Sequence, residues 1–61
     1  MEQSKITAAR VALALQCGNG ILTLFDAFQD EPLQFLRAEA RCKQDSHRIA
    51  AQAWLELRGD Q

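Results

Sequence analysis

At 61 residues the chain holds at most one domain, and a chain this short buries only about 60% of its unfolded surface, so it needs disulfides, a metal or a partner as a staple. With 48% apolar and 25% charged residues and a net charge of -1 it reads as globular rather than disordered, with no global pull toward nucleic acid or an acidic membrane. Two cysteines are too few for a disulfide scaffold, no Cys/His spacing resembles a zinc site, and the longest apolar stretch, Val11 to Leu15, is far short of a membrane span. Self-association is therefore the favoured staple.

The opening Met1-Glu2-Gln3-Ser4-Lys5 lacks the basic start, apolar core and cleavage site of a signal peptide, which points to a cytoplasmic protein. Ser4 is suited to cap a first helix, with apolar periodicity from Ile6 and no proline before Phe28. Two glycines, Gly18 and Gly20, interrupt it, each costing roughly 1 kcal/mol in a helix interior. They either break the helix, giving three shorter ones, or let a neighbour approach a continuous helix closely. The apolar pattern resumes in phase beyond them, and continuity is the reading taken.

The next punctuation is Gln29-Asp30-Glu31-Pro32. Asp30 can cap a second helix, with Glu31 and Pro32 in its first turn. Arg58 and then Gly59 are stop signals. The expectation is an all-α antiparallel hairpin filling one domain, residues 1–61: a helix over about 4–28, a turn at about 29–31 and a helix over about 32–58, each about 35 to 40 Å long. Abundant alanine and few β-branched residues argue against strands.

At about 100° per residue the first helix shows an apolar arc roughly 200° wide, twice what one hairpin mate covers. Leu13, Cys17, Leu24 and Phe28 lie with Ile6 on one edge of this arc, Val11, Leu15, Leu22 and Phe25 on the other, and Ile21 between. In the second helix Leu33, Leu36, Ala40, Lys43, His47, Ala50, Trp54 and Leu57 alternate by three and four, and Phe35, Cys42, Ser46, Ile49 and Ala53 form a seam of smaller residues. Two seams on each of two helices predict a homodimer, two hairpins forming a four-helix bundle. A turn near Asp30 would set Phe25 against Phe35, Phe28 against Leu33, the glycines against Ala40 and Cys42, and Ile6 level with Trp54.

Few residues suggest chemistry, and each has a plainer reading. Cys17 and Cys42 should share a level of the hairpin, as a redox pair or as small buried core residues, since packed helices usually lie too far apart for a disulfide. His47 has no carboxylate three or four residues away. It is a boundary residue with a wet edge, or it meets its own copy in a dimer and makes assembly pH-sensitive. Lys43 beside it would snorkel.

Arg37, Arg41 and Arg48 fall within roughly 40° on the outer face of the second helix, extended by Gln44 and Gln52. They form either a solvated exterior, with Asp45 near its edge, or a face for RNA or an acidic protein. Arg10 projects into the apolar arc, to snorkel, to pair with Glu56 or to mark an outside contact. Leu55 falls on the polar side. Trp54, of the type enriched in interface hot spots, is either the centre of a docking site with Leu57 and Ile6 or a core residue closing the bundle.

In length, turn position and helical pattern across the whole chain, the sequence resembles the small plasmid-encoded RNA modulator family, in which two helical hairpins form an antiparallel four-helix bundle that binds paired RNA loops. The resemblance is one of architecture; no motif of that family matches, so no RNA-contact residue carries over. In shape the chain is also similar to small secretion chaperones and phage-encoded inhibitor proteins. No catalytic set assembles from one histidine beside Ser46, since adjacent helical residues do not face each other. The expectation is a non-enzymatic interaction protein without cofactor, small-molecule substrate or membrane, which regulates, inhibits or escorts a larger protein as a homodimer. The alternatives are an RNA-binding dimer using the arginine stripe and an obligate subunit of a hetero-complex.

Overall fold

A computed structural model of the chain describes residues 3–59. Among these the fold is all helical, with α1 over Gln3–Cys17, α2 over Gly20–Ala27, α3 over Leu33–Glu39 and α4 over Asp45–Leu57. Each of the two long helices expected from the sequence is divided, and the turn between them falls where the Asp30–Pro32 segment predicts. The Cα radius of gyration is 10.4 Å and the extents are 25 × 24 × 17 Å. A compact globule of this length has a radius near 10.5 Å, whereas a continuous helix of 24 or more residues would be about 36 Å long. The chain folds back on itself more often than a hairpin does.

The first division is at Gly18, whose φ of +89° is a left-handed conformation that glycine adopts at little cost. Gly18 N–H still reaches Ala14 O at 2.8 Å, closing α1, and Leu22 N–H to Asn19 O at 3.0 Å starts α2. The continuous reading is thus corrected: the in-phase apolar pattern past the glycines reflects two helices covering one core.

The second division, residues 40–44, has no glycine or proline to announce it. Cys42 N–H bonds Glu39 O at 2.9 Å, Gln44 is extended at φ -75°, ψ 121°, and Asp45 opens α4, where its charge suits the helix N-terminus. At the Asp30 turn the residue preceding α3 is Pro32, extended at φ -68°, ψ 158°, rather than Asp30. Gly59, with φ +77°, ends the described chain beyond α4 as expected. α1 begins at Gln3, one residue ahead of the expected cap at Ser4.

α4 is the hub, packing against α1, α2 and α3. The buried core is Leu13, Ile21, Phe25, Phe28, Leu36, Ala50, Ala51 and Trp54. Phe25 and Trp54 stack with centroids 4.4 Å apart and planes 9° from parallel, while Phe28 meets Phe35 edge-on at 5.2 Å. The expected pairs Phe25–Phe35 and Phe28–Leu33 are replaced, because folding α2 over α4 moves Phe25 from the turn to the centre. Trp54 donates its indole N–H to Phe25 O at 2.6 Å, a second bond to a carbonyl in the last turn of α2 that also accepts from Phe28 N–H at 3.2 Å. Arg58 donates to Glu31 O at 2.6 Å and to Gln29 O, and its guanidinium lies 5.7 Å from the centre of the Trp54 ring. One cation thereby ties the end of α4 to the α2–α3 turn.

Candidate interaction surface

α1 carries apolar side chains on both sides. Leu13 points into the core, with Ile6 and Ala9 packed against it. On the opposite side Ser4, Ala8, Val11 and Leu15 recur at intervals of four, three and four residues, which at about 100° per residue keeps them within an arc of roughly 60°. All four are exposed, as are Thr7 and Ala12 at their flanks. Among the described residues Val11, 55% exposed, and Leu15, 85% exposed, are the large hydrophobic residues most open to solvent. The 200° arc anticipated for a continuous first helix is divided between α1 and α2, and within α1 one side packs on the core while the opposite side stays exposed.

Beside this face, between α1 and α4, lies an open cleft of about 460 Å³. It is lined by Lys5, Ala8, Ala9, Ala12 and Leu13 from α1 and by Ala53, Glu56 and Leu57 from α4. Ala8 and Ala12 belong to both features, so stripe and cleft form one apolar surface.

The residues singled out in the sequence divide between core and surface. Leu13, Ile21, Phe28, Leu36 and Ala50 are buried within the single chain, and Leu24, Ala40, His47 and Leu57 are half-buried at its margin. Cys17 is corrected: it is exposed at the end of α1, and it and the half-buried Cys42 are both free thiols. Trp54, offered also as a docking centre, is 2% exposed and internally hydrogen-bonded, so it is a core residue. Arg10 bonds Asp26, sixteen residues on, rather than Glu56. It sits at the α1–α2 interface because the bend at Gly18 brings α2 beneath it. With side chains 36% and 52% exposed, such a pair is worth at most about 1 kcal/mol.

The arginine stripe loses its helical register. Arg37 lies on α3, Arg41 in the connection after it, and Arg48 on α4, where it pairs with Asp45 at 2.8 Å. The 40–44 break interrupts the periodicity that aligned them. The same break brings Glu39 to His47, with Oε1 2.8 Å from Nδ1, and sets Phe28 edge-on to the imidazole at 5.9 Å. Glu39 was missed because it precedes His47 by eight residues, a spacing no single helix folds into contact. Arg58 was read only as a helix stop, and its two carbonyl acceptors depend on the turn being near the end of α4.

Among the described residues no helix is long and apolar enough to cross a membrane, and no three His, Cys, Asp or Glu side chains gather as metal ligands would. Compared with models of known families, with curated proteins and with solved structures, the chain matches none.

Proposed function

We propose that this chain is a non-enzymatic interaction protein that acts by docking the outer face of α1 against another protein chain, as a regulator, inhibitor or escort. The observation that carries the reading is the exposure of Val11 and Leu15 on a helix whose other side is already buried in the core. Contiguous exposed apolar surface on a small protein marks a contact site, and a seam at intervals of three and four is the form a partner helix reads. The RNA reading rested on a continuous arginine stripe, and that stripe is interrupted by the break at residues 40–44, in which Arg41 lies.

The test is photo-crosslinking in the source cells from a benzoylphenylalanine placed at position 11, with the same group at exposed Arg41 as control. The expected result is a discrete protein adduct, another copy included, from position 11 and not from position 41. Adducts to RNA alone, or no adduct favoured by position 11, would overturn the reading.

A further inference from the structure

We propose that the occupant of this face is a second copy of the chain, its α1 antiparallel to the first, so that Val11 and Leu15 of each cover the cleft between α1 and α4 of the other. The inference rests on the docking reading above and names the partner. Three observations carry it, and all concern α1.

The first is steric. The seam is small at its N-terminal half, Ser4 and Ala8, and large at its C-terminal half, Val11 and Leu15. Antiparallel pairing about a twofold axis sets Ser4 against Leu15 and Ala8 against Val11, a large residue opposite a small one at every level, the interdigitation close packing requires. Parallel pairing would set leucine on leucine at one end and leave serine on serine at the other.

The second is the cleft. Its α1 wall runs from Lys5 to Leu13, and the 85% exposed Leu15 lies beyond it on the outer face of the helix. At about 100° per residue Leu15 projects roughly 90° away from the middle of that wall, so no Leu15 fills its own cleft. A twofold-related copy brings its Val11 and Leu15 level with Ala8 and Ser4, and Ala8 is part of the cleft wall. Knob and hole lie on one helix, so the contact closes as a dimer instead of continuing into a filament.

The third is charge. α1 has no basic side chain in its last turn, where the helix dipole favours one, while Lys5 lies near its N-terminus, where the dipole opposes a cation. In the antiparallel pair the Lys5 of each copy comes beside the C-terminal turn of the other, supplying the cation that turn lacks.

The experiment is sedimentation equilibrium of the purified full chain over a wide concentration range, with Leu15→Arg and Arg41→Gln beside the wild type. The expected result is a dimer for the wild type and Arg41→Gln, and at least a hundredfold weaker self-association for Leu15→Arg with its circular dichroism unchanged. Orientation is read by mixing two chains, each with Cys17 and Cys42 replaced by serine, one carrying Ser4→Cys and the other Leu15→Cys, and adding a short bismaleimide. In the antiparallel pair each of these positions lies about 16 Å along the axis from its own copy. Antiparallel pairing crosslinks the mixture far better than either chain alone, whereas efficient crosslinking of each chain alone would mean parallel pairing and overturn the proposal. A wild-type monomer at all concentrations would also overturn it. If position 11 still crosslinks to a different protein in cells, only the identity of the partner fails; if it crosslinks to none, the docking reading fails with it.

Discussion

Trp54 shows how much of this fold hangs on single side chains. It stacks on Phe25, bonds the Phe25 carbonyl and carries Arg58 on its ring, joining α4 to α2 and to the turn after it. Trp54→Ala should cost about 3–5 kcal/mol, most of what a domain of this size has, and urea denaturation followed by circular dichroism measures the loss. Tryptophan fluorescence gives an independent check, since a residue 2% exposed should emit in the blue and resist acrylamide quenching. Emission like that of free indole would return Trp54 to the surface. Arg58→Met keeps the apolar stem and removes two hydrogen bonds to carbonyls. A half-buried cation at those acceptors should be worth about 1–2 kcal/mol, seen as a lower urea midpoint at constant slope. At this scale the sequence was most legible where a residue's role is to be buried. Leu36, Ala50 and Trp54 lie on the predicted seam and in the core, because periodicity reports which side faces inward. Polar partners such as Asp26 for Arg10 or Glu39 for His47 depend on where the chain bends, which periodicity leaves open.

Bends belong to the elements, and there the two glycines make opposite predictions. Gly18 has a left-handed φ of +89°, whereas Gly20 opens α2, and a Cβ at either would meet nothing within 4 Å. With space equal, backbone conformation decides the outcome. Gly18→Ala should destabilise by about 1–2 kcal/mol, the cost of holding an L-residue in that region. Gly20→Ala should stabilise by about 0.4–1 kcal/mol by restricting the unfolded chain. Thermal melts of the two variants decide between a bent and a straight first half. In a straight helix both glycines would be interior residues and both substitutions would stabilise. The glycine pair left bend and close approach equally open, and in-phase periodicity argued for the wrong one, since two short helices on one core can share a phase. At the other break, Asp45 and Ser46 before the apolar run at Ile49 are a helix-start signal. The uninterrupted three-four alternation from Leu33 to Leu57 masked it.

At the scale of the molecule, division into four helices determines how much apolar surface one chain can cover. α4 is covered by three neighbours, and α1, at the periphery, packs on α2 and α4 with one side only. A straight hairpin would leave apolar surface along both helices and distribute the need for a partner over its whole length. The bent fold completes a small core around Phe25, Leu36 and Trp54 and concentrates the uncovered remainder on the outer side of α1. Solution scattering separates the two shapes, and Leu15→Arg is the chain to use, since it isolates one copy. The extents of 25 × 24 × 17 Å, with about 10 Å added for side chains, place the largest distance in a single chain near 35 Å. Two helices of 24 or more residues would extend it to about 45–50 Å. A distance distribution that ends near the shorter value, from a folded monomer, supports one patch on a finished core. A distribution reaching the longer value would restore the extended hairpin, and the partner would then have to cover both helices instead of the single face bearing Val11 and Leu15.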